Sequence, residues 1–199
     1  LRLQRDLRQA ITEFAPGAEI VADKRLWKSN GVLIRREARQ IFEYRLCQEC
    51  NYILAAQAAG APLLLEECPT CGTKYKGKSS NTRYLVPDGF STDPNSGKMA
   101  GQYVRFESTQ QNVAVVIPST DKDVQPGKFV HRSVQKNGSL YYLNGGKHGS
   151  GYQICSKCGR HITNKNGVCP NKMCGGQGQY VHLGHAVPTD TLLIQFGVP

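Results

Sequence analysis

The residues of this 199-residue chain best suited to chemistry are its eight cysteines, which fall into close pairs. Cys47-Gln48-Glu49-Cys50 and Cys68-Pro69-Thr70-Cys71 are two C-x2-C pairs with 17 residues between them, the spacing of a four-cysteine zinc site. A C-x2-C turn brings two thiolates within reach of one ion and aims backbone N–H groups at sulfur, and Gly72 can supply the positive φ of such a turn. Cys155-Ser156-Lys157-Cys158 and the C-x4-C pair Cys169 and Cys174, 10 residues further on, form a second set. His161 is near enough in sequence to replace one of these cysteines, leaving a Cys3His alternative open at the second site. Independent thiols or disulfide partners would rarely group in this way. Iron accepts the same sulfur tetrahedron, but no electron-transfer signal accompanies it, so two zinc ions are expected. Four thiolates leave no open position for water, which makes both sites structural.

Catalytic signatures are missing. Gly97-Lys98, Gly127-Lys128 and Gly146-Lys147 lack the upstream glycine and following hydroxyl of a phosphate-binding loop, so the chain is not expected to hydrolyse ATP. There is no H-E-x-x-H, and Pro69 and Pro170 follow their cysteines where a zinc deaminase has proline before them. A hydrolase or nuclease built on Asp88, Asp93, His182, His185 and Asp190 is a distant third reading, because no spacing links them.

The charge points to an anionic partner. Lys and Arg number 25 against 15 acids, for a net +10. Each zinc held by four thiolates contributes −2, so two sites would lower the net from +10 to +6. Lys24, Arg25, Lys28, Arg35, Arg36 and Arg39 crowd around Trp27, a combination suited to phosphate contact with one stacking aromatic. Lys74, Lys76 and Lys78 follow the first cysteine set, and Lys157, Arg160, Lys165 and Lys172 surround the second. The plain alternative is solvated strand faces.

The elements that must carry these residues are mainly β, in an α+β chain. Leu3, Leu7, Ala10, Ile11 and Phe14 recur at helical spacing, so residues 1–14 are expected as an amphipathic helix ended by Pro16-Gly17. Short, antiparallel strands are expected at residues 19–21, 31–35 and 41–46, with turns at Asp23-Lys24 and Ser29-Asn30-Gly31. The alanine-rich stretch after Cys50 fits either a helical turn or a strand. Further strands are expected at 102–106, 113–117, 129–134, 140–143 and 191–196, with Asn137-Gly138 as a hairpin turn and 144–151 as a glycine-rich linker. The expected organisation is a first lobe over residues 1–88, a polar loop or lobe boundary over 89–100, and a β-rich second lobe over 101–199, each lobe with one zinc knuckle site. No apolar run reaches the roughly 18 residues of a membrane span. With no signal peptide either, a cytoplasmic protein is expected.

Taken in order, several stretches resemble the zinc-binding C-terminal region of MrfA-like superfamily 2 DNA helicases. They are Arg5 to Gly17 (R-D-L-R-Q-A-I-T-E-F-A-P-G), Ser29-Asn30-Gly31-Val32, the Cys47/Cys50 and Cys68/Cys71 pairs, Leu85-Val86-Pro87-Asp88-Gly89-Phe90, Leu183-Gly184-His185, and Thr189-Asp190-Thr191-Leu192-Leu193. The resemblance implies zinc ligation by Cys47, Cys50, Cys68 and Cys71, whereas the second set rests on its spacing. It implies bacterial DNA repair, or anti-phage defence of the DISARM type, where the region is found beside a helicase. The family's region usually continues past the T-D-x-L-L strand and follows motor domains, so a fragment of a helicase, or the partner of one, is expected. The reading is thus a non-catalytic zinc module that contacts or guides DNA. Its rival is a protein-interaction platform docking a helicase to a partner subunit.

Overall fold

The computed structural model of the chain describes residues 3–34, 41–57, 66–75, 82–99, 111–114, 123–126 and 130–196. Among them the helix is α1 (Leu7–Glu13). The strands are β1 (Glu19–Ala22), β2 (Arg25–Leu33), β3 (Ile41–Leu46), β4 (Ile53–Gln57), β5 (Thr82–Leu85), β6 (Gly89–Thr92), β7 (Lys98–Met99), β8 (Gln111–Ala114), β9 (Asp123–Pro126), β10 (Val130–Asn144), β11 (Tyr152–Cys155) and β12 (Gly178–Phe196). The described residues are therefore mainly β, with one short helix. No helix among the described residues is long and apolar enough to cross a membrane.

The helix is shorter than its apolar period because Asp6 caps it, its carboxylate accepting from the Arg8 N–H at 2.9 Å. Ala10 and Ile11 are buried, while Leu3 precedes the helix and is exposed. β1 and β2 then form a hairpin whose turn residues, Asp23 and Lys24, both take positive φ (52° and 56°), as a two-residue type I′ turn requires. Ser29-Asn30-Gly31 is not a turn. These residues continue β2, which pairs with β6 and β7, and a register shift between Ser29 and Gly31 absorbs the irregularity. Ser29 is buried and its hydroxyl donates to the Phe14 carbonyl at 2.7 Å, a bond that ties the strand to the helix end. Nor are residues 89–99 an open loop: β6 and β7 flank a 3-10 turn, Pro94–Ser96, capped by Asp93.

The larger sheet runs β4-β3-β5-β12-β10-β8, with β11 also on β12 and β9 also on β10. Its pairings are antiparallel except β5 with β12, where Tyr84 lies opposite His182 and Leu85 opposite Leu183. Strands from both ends of the sequence thus meet on β12. The alanine-rich stretch begins as β4, in register with β3 from Leu46 and Ile53 to Phe42 and Gln57. Asn137-Gly138 is not a hairpin turn but lies inside β10, where the ladder to β12 shifts register between Gln135 and Gly138 and then continues to Asn144 opposite Leu183. A long partner strand outweighs the local turn preference of Asn-Gly. The strand expected at 102–106 lies outside the described residues.

Ile11, Val32, Leu85, Tyr152, Ile154, Val181 and Leu183 form the main core, drawing on α1, β2, β5, β11 and β12. Tyr44, Ile53, Tyr84, Tyr141 and Leu143 form a second cluster on the sheet. Among the described residues the fully enclosed polar side chain is Asn144, which donates from Nδ2 to the Ile11 carbonyl (2.7 Å) while its Oδ1 accepts from the Gly146 N–H (2.9 Å) and the Tyr152 hydroxyl (3.1 Å). Replacing Asn144 by Ala removes three buried hydrogen bonds. Urea unfolding of the metal-loaded Asn144→Ala variant is expected to show a loss of about 2 kcal/mol or more.

Candidate metal centres

Each cysteine pair is built into a turn. β3 runs directly into Cys47, and the chain re-enters β4 after Tyr52, so the first knuckle is the turn of the β3–β4 hairpin. The Cys47 N–H donates to the Tyr52 carbonyl at 2.8 Å, and the Asn51 N–H to the Cys47 carbonyl at 3.0 Å. The same two bonds recur at Cys68 (to Thr73 at 2.9 Å, from Gly72 at 2.8 Å) and at Cys155 (to Arg160 at 2.8 Å, from Gly159 at 3.0 Å). In all three knuckles the residue four positions after the leading cysteine is left-handed: Asn51 at φ 56°, Gly72 at 71° and Gly159 at 75°. Asparagine tolerates that conformation next best after glycine, which explains Asn51. The fourth turn is longer, with the Cys169 N–H reaching Gly176 (3.2 Å) and the Cys174 N–H reaching Asn171 (2.9 Å).

These turns bring together Cys47, Cys50, Cys68 and Cys71, and separately Cys155, Cys158, Cys169 and Cys174, with every sulfur of a set within 4.8 Å of the others. The closest approaches cross between knuckles: Cys47–Cys71 3.6 Å, Cys50–Cys68 3.5 Å, Cys155–Cys174 3.7 Å and Cys158–Cys169 3.4 Å. A disulfide needs about 2.05 Å. A tetrahedron of ~2.3 Å zinc–sulfur bonds has edges of about 3.8 Å. All eight are free thiols, and both sets are compatible with a zinc ion. The second set is complete without His161, whose ring stands edge-on to Tyr152 at 6.0 Å, its pKa lowered by burial and by the Lys28 charge.

Neighbouring donors prepare some of these thiols for ionisation. The hydroxyl and N–H of Thr73 lower Cys71 to about 6. Burial opposes ionisation at Cys155, but the N–H groups of Cys158 and Lys157 outweigh it and bring that thiol to about 7. Cys158 and Cys50 are instead raised by burial, Cys158 to about 12. A divalent cation at the centre is what lets all four members of a set ionise together.

The Cys155 knuckle is also part of the β scaffold. The Val32 N–H donates to the Gly159 carbonyl at 2.9 Å and the His161 N–H to the Asn30 carbonyl at 2.8 Å, so the turn that carries Cys155 and Cys158 extends the sheet alongside β2. Sequence spacing gave no sign of this contact.

The basic candidates are spread over several faces. Lys24, Arg25 and Lys28 are exposed, but Arg25 and Lys28 sit at odd and even positions of β2 and point to opposite sides of its pleat. The Trp27 indole N–H donates to the Ala22 carbonyl at 3.1 Å, and Gly97 lies against the ring, so a Cβ there would sit 2.8 Å from it. Lys74 faces Glu67 at 3.8 Å, both exposed. Arg35, Arg36, Arg39, Lys76 and Lys78 lie outside the described residues.

The titratable residues of the hydrolase reading are not drawn together. His182 has Nδ1 2.7 Å from the Tyr44 hydroxyl and Nε2 3.0 Å from the Gly149 carbonyl. Nε2 must donate to the carbonyl, so Nδ1 accepts from Tyr44 and the ring is neutral, in keeping with a pKa lowered by burial. His185, three residues along the strand, faces the other side of the pleat. Among the described residues, the two cysteine sets are the clusters of metal-capable side chains, and Asp88, Asp93, His182, His185 and Asp190 belong to neither.

Metal analysis of the purified protein should give two zinc equivalents, and Cys50→Ala should retain one, at the second site. Gly72→Ala meets open space and should cost about 1 kcal/mol for its left-handed backbone alone. Gly159→Ala drives a Cβ into the Val32 carbonyl and should lower the thermal midpoint clearly more.

Comparison with known proteins places the chain near one relative. No family profile matches it, and no solved structure does. Over 98% of its length it is 25% identical to Druantia protein DruE of Escherichia coli (strain UMEA 4076-1). The chain spans 12% of that protein, and so is similar to one stretch of a much longer polypeptide.

Proposed function

We propose that this chain is a non-catalytic, zinc-stabilised accessory module of an ATP-dependent DNA helicase, acting in DNA repair or anti-phage defence, and that it contacts or guides DNA beside the motor. The observation that carries this reading is the pair of four-thiol clusters. A cation held by four sulfurs has no coordination site left for water or substrate, so its contribution is to hold loops in place. The loops held by the second set carry Lys157, Arg160, Lys165 and Lys172 and no acid, in a chain with 25 Lys and Arg against 15 acids. The motif resemblance to the zinc region of MrfA-like helicases supplies the motor context. Similarity to a short stretch of a far longer relative agrees with a module working as part of something larger.

On this reading the contacts are mainly to phosphate, with Lys24, Arg25, Lys28, Arg35, Arg36, Arg39, Lys74, Lys76 and Lys78 as candidates and Trp27 beside them. Binding needs no ATP. Fluorescence anisotropy of the zinc-loaded protein with single-stranded, duplex and 3′-tailed DNA should give micromolar or tighter binding, with a negative slope of log affinity against log salt. Replacing Arg35 and Arg36 together should weaken it and reduce the slope by about 2. No binding even at low salt would overturn the DNA reading, and stable co-purification with a motor subunit in that case would favour the docking platform.

A further inference from the structure

We infer that the second metal knuckle is a DNA wedge, in which Met173 packs against a base while Lys157 and Lys172 neutralise the adjoining phosphates. The inference rests on the reading of the chain as a DNA-contacting module and locates the contact on a surface that the β2 cluster does not include.

Three observations converge on this knuckle. The first is an exposed apolar tip. Met173 is 97% exposed, more than any other large apolar side chain among the described residues, and Val168 and Tyr180 of the same lobe are exposed at 55% and 62%. Single exposed apolar residues are ordinary, but Val168 and Met173 stand beside Cys169 and Cys174 in the closing metal turn, and Tyr180 follows on β12.

The second is rigidity. The Met173 N–H donates to the Asn171 side-chain carbonyl at 3.2 Å, the Cys174 N–H donates to the Asn171 backbone carbonyl at 2.9 Å, and Cys174 itself belongs to the thiol cluster. The backbone on both sides of Met173 is therefore fixed, so binding orders the Met173 side chain but not the loop that carries it. Apolar wedges of this kind, methionine among them, are what DNA-bending proteins push between base steps.

The third is charge. No Asp or Glu occurs anywhere from Val124 to Thr189, a stretch of 66 residues holding eight Lys and Arg. Lys157, Arg160, Lys165 and Lys172 are all exposed, and among the described residues none is in an ion pair. Lys157 lies along Gly175 and Gly176, its Nζ 4.0 Å from where a Gly175 Cβ would be, and this sets its ammonium beside the turn that carries Lys172 and Met173. An apolar tip flanked by Lys157 and Lys172, in a stretch that holds no acid from Val124 to Thr189, is complementary to a stacked polyanion.

The test uses the zinc-loaded chain and fluorescein-labelled single-stranded and duplex DNA, read by anisotropy across a salt series, with zinc content measured for every variant. Met173→Ser should weaken binding about fivefold and leave the salt slope unchanged, because it removes a base contact and no charge. Met173→Leu should restore the affinity, since apolar volume is what the wedge supplies. The Lys157→Gln, Lys172→Gln double variant should reduce the slope by about 2. Wild-type binding that all three variants reproduce would overturn the wedge and leave the DNA-contacting module standing. Equal weakening by Ser and Leu would also overturn it. Failure of the unsubstituted protein to bind DNA at low salt would remove both readings at once.

Discussion

Four ionised thiols cannot share a space 4.8 Å across unless a cation sits among them, and the rest of this structure is arranged around meeting that condition twice. The first set closes the β3–β4 hairpin and draws the Cys68 turn onto it, with Tyr52, Leu54 and Tyr75 packed around the sulfurs. The second set fixes a turn whose outer backbone pairs with β2, so the metal supports the sheet as well as its own loop. Both are loop-dense regions with few apolar neighbours of their own. Cys155, Ile162 and Cys169 are the whole buried cluster at the second site. In such a lobe the metal stands where a larger domain would have a core.

Much of this was legible in the residues because it is local. C-x2-C spacing reports on a turn of six residues, and that turn is the same hydrogen-bonded unit at Cys47, Cys68 and Cys155. The β1–β2 hairpin was legible for the same reason, through Asp23 and Lys24. What was not legible depends on partners far away in sequence. Ser29-Asn30-Gly31 and Asn137-Gly138 have the composition of turns, yet each is held extended by strands that no local pattern reveals. Asn144 is an ordinary polar residue until Ile11, Gly146 and Tyr152 surround it. The longer-range contact of Gly159 with Val32 likewise joins residues 127 positions apart, which no local spacing encodes.

The distribution of charge adds a constraint of a different kind. Acids on the first half of the chain are partly used against bases, as in Arg5–Glu13 at 3.2 Å and Arg83–Glu43 at 3.3 Å. Exposed pairs of this sort add little to stability, but they do neutralise the surface locally. The stretch from Val124 to Thr189, which holds the second metal set, has no acid of its own, so its local field is set by lysine, arginine and the net charge of the metal site. The two halves share one sheet but present different electrostatic faces to whatever approaches.

The parallel pairing of β5 with β12 has a consequence for how the chain acquires its structure. Leu85 and Leu183 are neighbours in space but nearly a hundred positions apart, and Ile11 meets Leu183 across almost the whole chain. During synthesis the helix, the first hairpin and the Cys47–Cys71 knuckle all leave the ribosome long before the strand that completes their core. The early segment is thus in a position to capture its metal while its apolar faces are still uncovered, and contacts of such high order close slowly. The order of synthesis thus separates the first metal set from the strand that covers its neighbours, and apolar faces left uncovered in that interval are the ones open to aggregation or proteolysis.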